Sequence, residues 1–268
     1  MLDIQELKNV MVQAASEAGK IILHYFNGNF EVKNKDGINN LVTEVDHHSE
    51  DVIIKIIKET YPTHTIISEE VGELIQASDY QWLIDPIDGT VNFAHSIPIC
   101  CVSIGLLYKG DLILGTVFNP MMNELYFAEK GKGATLNGKP IFVSKKSDFR
   151  KACLVTGFPY AWPDSYEHPI KVFERFILEG LPIRRLGSAA LDLCWVACGR
   201  FDGFWEYNLS SWDVAAGYLI VQEAGGRITN FEGERYNVFE KQTLATNGLI
   251  HEAMLSVISH KKKPTIQE

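Results

Sequence analysis

Asp85-Pro86-Ile87-Asp88-Gly89-Thr90 follows directly on the apolar run Trp82-Leu83-Ile84. The run predicts a strand. Pro86 fixes its own φ and removes a donor, so the chain is expected to leave the sheet there. The turn would then present two carboxylates, Asp85 and Asp88, and the carbonyl of Ile87 from a few rigid residues. Oxygen donors grouped this way suit a hard cation such as Mg²⁺, with water and a substrate phosphate completing its shell. Gly89 permits close backbone approach and Thr90 adds a hydroxyl. A helix opening at Gly89-Thr90 would turn free N–H groups toward a phosphate. Asp-Pro and Asp-Gly are also common turn dipeptides. What sets the six residues apart is their place after a strand and beside other strand-end acids.

Glu69-Glu70 follows another short strand, Thr65–Ser68. Neighbouring strands end on one edge of a sheet, so Glu69 could reach the Asp85 turn; the alternative is a pair of solvated loop acids. Asp213, three residues after Ser210, and Asp46, three after Thr43, each fit a helix-capping pattern as well as a catalytic one. His47 and His48 read as surface residues. Ser188, in Gly187-Ser188-Ala189-Ala190, is either a helix N-cap or part of a stretch whose amides meet a polar ligand. Glu206 ends the apolar run Phe204-Trp205, as a solvated acid or as a site residue.

These residues need elements to hold them. Leu7, Val10, Met11, Ala14, Ala18, Ile21, Ile22 and Tyr25 share one helical face over about Asp3–Phe26. A turn-rich stretch, Asn27–Asn40, precedes a second helix from near Thr43 to before Pro62. Strands are expected at Thr65–Ser68, Gln81–Ile84, Cys100–Tyr108, Leu112–Asn119 and Glu124–Glu129, the last three as an antiparallel meander. Turns at Gly131–Gly133 and Asn137-Gly138 suggest another hairpin. Beyond Arg150 the pattern becomes strand 152–157, helix 169–179, strand 183–185, helix 189–198, strand 203–207, helix 212–223, strands 227–229 and 243–246, and a helix after Asn247. Gly225-Gly226 stops the helix at 223. Helices alternating with sheets predict a layered α/β sandwich. An N-terminal half, 1–150, would carry most of the candidate ligands, and 151–268 would complete one catalytic unit.

The chain has 268 residues, long enough for a substantial core. Hydrophobic residues make up 46% and charged residues 22%, which excludes disordered and fibrous classes. Net charge is −9, against broad nucleic-acid binding. Arg184-Arg185 and Lys261–Lys263 read as small solvated basic clusters. The N-terminus lacks a signal-peptide pattern, and the longest apolar run, Ile97–Leu107, is about half of the ~20 residues a membrane span needs. A soluble, cytoplasmic protein with no membrane partner is expected. The 5 cysteines have no Cys-x-x-Cys or zinc-site spacing and predict reduced thiols. No Ser-His-Asp arrangement or nucleophilic Cys motif is visible. Tyr160-Ala161-Trp162-Pro163 is a packed surface loop, a substrate lid or a dimer contact.

Together these blocks resemble the inositol monophosphatase family. The resemblance is carried by Trp82–Thr90 with Asn92-Phe93, by Glu69-Glu70, and by Trp212-Asp213-Val214-Ala215-Ala216-Gly217 with Glu223-Ala224-Gly225-Gly226. Leu41-Val42-Thr43 with Asp46, and Gly187–Ala190, match further family positions, so nearly the whole chain is covered. The resemblance implies an αβαβα sandwich, usually a homodimer, that hydrolyses small phosphate monoesters with Mg²⁺ and is lithium-sensitive. Position by position, Glu69, Asp85 and the Ile87 carbonyl would hold one ion, and Asp85, Asp88 and Asp213 a second. Glu69 would help hold a weaker third through water. Thr90, paired with Asp46, would activate the attacking water. Phosphate would rest on the Gly89-Thr90 amides beside Asp88 and Asp213, while Ser188, Ala189 and Glu206 would face a phosphorylated polyol or sugar.

Three rival readings follow. A haloacid-dehalogenase-type phosphatase needs Asp-x-Asp, and the two residues between Asp85 and Asp88 misplace the second acid. A sugar-bisphosphate, nucleotide (3′-phosphoadenosine or NADP) or histidinol-phosphate phosphatase would use the same metal site. A regulatory, RNA-metabolism-associated member of the family is the third, disfavoured by the intact acids.

Overall fold

The computed structural model describes residues 3–34, 41–159 and 169–259. Leu7, Val10, Met11, Ala14, Ala18 and Ile22 form the buried face of α1 (Ile4–Tyr25). Asp3 caps it by accepting from the Gln5 amide at 2.9 Å. α2 (Glu44–Thr60) buries Val45, Ile53 and Ile57 on the same layer. Between them β1 (Val32–Asn34) pairs antiparallel with β2 (Leu41–Thr43), a ribbon hidden by the turn-rich composition of that stretch. Tyr160–Pro163 and Lys261–Lys263 lie outside the described residues.

β3 (Thr65–Ser68), β4 (Gly72–Leu74), β5 (Tyr80–Asp88), β6 (Cys101–Tyr108), β7 (Asp111–Asn119), β8 (Glu124–Glu129), β9 (Gly133–Leu136) and β10 (Lys139–Ile141) form one sheet, ordered β10-β9-β8-β7-β6-β5-β3-β4. The meander from β6 onward is as expected. β3 runs parallel to β5 with Ser68 opposite Ile84, so Glu69 emerges on the same edge as Asp85. One expectation fails here. β5 does not leave the sheet at Pro86 but continues to Asp88. The register slips between the pairs Asp85↔Ser103 and Asp88↔Cys101. Pro86 sits in that bulge, where its missing N–H breaks no ladder bond. α3 (Thr90–Ala94) follows at once.

The second sheet, ordered β12-β11-β13-β15-β14, contains β11 (Leu154–Thr156), β12 (Ile183–Arg184), β13 (Gly203–Tyr207), β14 (Arg227–Thr229) and β15 (Gln242–Thr246). The remaining helices are α4 (Pro169–Leu178), α5 (Ala189–Ala197), α6 (Ser211–Glu223) and α7 (His251–Ile258). Three apolar clusters show the layering. One joins α1 and α2 to the large sheet through Trp82 and Ile84. Another takes Leu83 from the opposite face and packs it with α5, α6 and the small sheet's Val155, Phe204 and Ala245. The last packs α4 and α7 on the far side of the small sheet through Val172, Phe176, Trp205 and Met254. Period-two alternation thus sends successive side chains of β5 and β13 to different layers, giving the αβαβα sandwich. Among the described residues no helix is long and apolar enough to cross a membrane. All five cysteines are free.

His251 stitches this last layer together. Its ring nitrogens lie 2.9 Å from Thr229 Oγ1 and 2.9 Å from Thr246 Oγ1, and the side chain is fully buried. Burial, helped by Arg227, pushes its pKa from 6.5 down to about 4. Between those values the unfolded chain binds the proton and the folded one does not. Stability is therefore full above pH 6.5 and falls as the pH drops to 4, by up to about 3 kcal/mol from this group. Urea unfolding across this range should show a shallower pH slope in His251→Gln than in the wild type.

Candidate active site

The bulge of β5 is braced from several sides. Ile87 N donates to Asp85 Oδ1 at 3.0 Å, and Ser49 Oγ of α2 donates to the Pro86 carbonyl at 2.9 Å. Thr90 Oγ1 lies 3.0 Å from the Ile87 carbonyl and 3.2 Å from Asp46 Oδ1. Asp46 caps its helix and also meets Thr90. Its Oδ2 accepts from Thr43 N at 2.8 Å and Thr43 Oγ1 at 2.6 Å, closing a capping box, and this leaves Oδ1 for Thr90. Asp213 is alike in part, accepting the Ser210 amide at 2.7 Å at the start of α6. Ser103 Oγ of β6 donates to the Trp212 carbonyl and anchors that helix end to the large sheet.

Asp88 is gripped by an element 100 residues away. Its Oδ2 accepts from Ser188 Oγ at 2.6 Å and from Ala190 N at 2.7 Å. Ser188 occupies the N-cap position of α5, yet its hydroxyl bonds Asp88 and makes no cap bond. Asn92 Nδ2 donates to the Ile99 and Leu186 carbonyls, fastening α3 to the segment before α5. Glu69 rides on a turn fixed by Glu50, a buried acid of α2. One Glu50 oxygen accepts from Ser68 Oγ, Glu70 N and Val71 N, the amides at 3.1 Å each. Sequence reading missed Glu50, although it lies one helical turn after Asp46 on the buried face of α2.

The result is a cleft of about 530 Å³ between the two sheets' strand ends. Glu69, Asp85, Ile87, Asp88, Gly89, Thr90, Ser188, Ala189, Glu206 and Asp213 all line it. Asp46 reaches it through Thr90. Glu206 is buried rather than solvated. Arg185 is exposed, as its reading in a solvated cluster expects, and it also lines the cleft. Asp192 and Gly157 are lining residues that no sequence pattern marked.

Among the described residues, six lining carboxyls against one lining cation make the site electrostatically costly. Burial, then Glu69, Asp88 and Asp213, push the Asp85 carboxyl well up, and it shares a hydrogen bond with Glu69. Desolvation, then Glu69 and Asp88, do the same to Asp213. Burial outweighs the Ser188 and Ala190 donors and raises Asp88 to about 6; it lifts Asp46 to about 7 and Glu206 to about 8. Among the described residues no three His, Cys, Asp or Glu side chains are closed into a coordination shell. The donor set nevertheless fits a hard cation: it is all oxygen, rich in acids, and its members repel one another.

A sequence model of the inositol monophosphatase family matches residues 3–263. The inositol-1-monophosphatase of Synechocystis is 40% identical over 96% of this chain and 90% of its own length. The Nus factor SuhB of Escherichia coli is 42% identical over 92% of this chain and 94% of its own. The solved inositol monophosphatase of Anabaena superposes with a TM-score of 0.86 at 38% identity, covering 97% of each chain.

Proposed function

Because the chain belongs to the inositol monophosphatase family, and so is a phosphomonoesterase, we propose that it hydrolyses inositol 1-phosphate to inositol and phosphate with Mg²⁺. What carries this reading is the convergence of the Glu69, Asp85, Asp88 and Asp213 carboxylates on a cleft that also holds the Thr90–Asp46 pair. Glu69, Asp85, the Ile87 carbonyl, Asp88 and Asp213 would hold two to three ions. Bound there, divalent cations supply charge to the phosphate oxygens and the leaving alkoxide and acidity to a water. Asp46 Oδ1 holds Thr90 Oγ1 in place, so that the hydroxyl orients the attacking water and passes its proton toward Asp46. The Gly89-Thr90 backbone receives the phosphate. Ser188, Ala189 and Glu206 face the alcohol. Residues 1–150 and 151–268 act as one unit on this reading, since Asp88 and α5 come from opposite halves. Lithium sensitivity, a homodimer and a cytoplasmic location belong to the same proposal.

A panel of esters tests the substrate. Phosphate release with Mg²⁺ is measured from inositol 1-phosphate, fructose 1,6-bisphosphate, a 3′-phosphoadenosine nucleotide, NADP and histidinol phosphate. The highest kcat/KM is expected on inositol 1-phosphate. A higher value on another ester replaces the substrate. Inactivity on all would favour a regulatory role, in line with the Nus factor name of the E. coli relative.

A further inference from the structure

Asp192 sits on α5, four residues after Ser188 and thus on the same helical face. Because Ser188 Oγ and Ala190 N are bonded to Asp88, the first turn of α5 is fixed to the β5 bulge, and Asp192 is fixed with it. Asp192 is only 1% exposed, yet it lines the cleft. Its Oδ1 has no hydrogen-bond partner among the described residues. Buried carboxyl oxygens are almost always paired, so an unpaired one on a residue that lines a binding cleft calls for a partner from the ligand. Glu206 lies at the same end, its carboxylate occupying the space that a side chain at Gly157 would fill. Arg185 is the one cation among the described lining residues.

We propose that Asp192 is a specificity-determining residue, which with Glu206 selects an uncharged polyol as the leaving alcohol. This rests on the phosphomonoesterase reading of the same cleft. A polyol hydroxyl, both donor and acceptor, completes the Asp192 carboxyl. A leaving group bearing a second phosphate would set a further anion in this buried, carboxyl-lined end, where Arg185 is the one cation among the described lining residues. The Asp192 side chain touches the alcohol and leaves the phosphate end to other residues. Its removal therefore acts on alcohol recognition rather than on bond cleavage.

The test uses the full chain with Mg²⁺ and compares wild type, Asp192→Leu and Asp192→Asn. The substrates are inositol 1-phosphate, fructose 1,6-bisphosphate and p-nitrophenyl phosphate, whose leaving group has no further hydroxyl. Asp192→Leu should raise KM for inositol 1-phosphate about tenfold more than for p-nitrophenyl phosphate, with kcat changing far less than KM. Asp192→Asn, which keeps the hydrogen-bonding shape, should recover most of that KM. By presenting an NH₂ donor that cannot ionise, it should also raise kcat/KM on the bisphosphate relative to inositol 1-phosphate. Equal changes on all three substrates, or no change, would show a packing or water-binding residue and overturn the proposal. Should Asp192→Leu fail to fold, the substrate ratio of Asp192→Asn decides alone, an unchanged ratio overturning the proposal. A wild type inactive on every ester overturns the phosphatase reading, and this inference with it. An active wild type with unchanged ratios in the variants overturns this inference only.

Discussion

Replacing Asp88 by Asn is expected to lower Mg²⁺-supported turnover at least about 10³-fold while leaving the fold intact. The direction follows from the side chain's own contacts. Asp88 Oδ2 accepts from Ser188 Oγ and Ala190 N, so the one carbonyl oxygen of an asparagine must stay with those donors. Its NH₂ group is then turned to the cleft, where an acceptor and a negative charge stood before. The clamp between α5 and the β5 bulge survives, and the site loses an anionic oxygen. Circular dichroism and a melting curve should match the wild type, and phosphate release should not. Turnover within tenfold of wild type would remove Asp88 from the proposed ligands.

Gly89→Ala should damage both stability and turnover. Gly89 has φ +95, a conformation that costs an L-residue about 1–2 kcal/mol. An alanine Cβ there would also lie 2.8 Å from the Ile99 carbonyl oxygen and 3.1 Å from that of Gly187. Both obstacles are backbone, so the turn between Asp88 and Thr90 must move, and with it the contacts to α5. A total loss of about 3 kcal/mol is expected, with turnover falling alongside. Gly110→Ala is the control. Its φ of +82 carries similar strain, but nothing lies within 4 Å of the added carbon. It should cost only the conformational share and leave turnover near wild type. Equal losses at the two positions in urea unfolding would mean that the close packing around Gly89 is immaterial.

The features legible in the sequence were those encoded locally. The 3.6-residue spacing of Leu7 to Ile22 fixed α1, and the acid three residues after Thr43 announced a capping box that is present. The short apolar runs before Glu69 and Asp85 were strands, and because they pair in parallel their acids meet. The layered sandwich followed from the alternation of such elements. Pro86 misled because a proline ends a strand only where its N–H would be needed, and a bulge removes that need. β1 and β4 are three residues each, too short for a periodic signal. The remaining gaps were long-range. Nothing near Ser188 indicates that its hydroxyl will bond Asp88 rather than cap α5, nor that one Asp192 oxygen will find no partner among the described residues. Arg185 is solvent-exposed as expected, and only the fold shows that it also lines the cleft. Glu50 was unmarked because its three donors, Ser68, Glu70 and Val71, lie 18, 20 and 21 residues further along the chain.

The central claim is that the acid-lined cleft is a metal-dependent phosphomonoesterase site, and phosphate release from inositol 1-phosphate tests it most directly. The purified chain is stripped with EDTA, assayed, and assayed again after Mg²⁺ is restored in excess. Release should stop in EDTA and return with Mg²⁺, and Asp88→Asn should fail to recover it. Release that persists undiminished in EDTA would contradict the account.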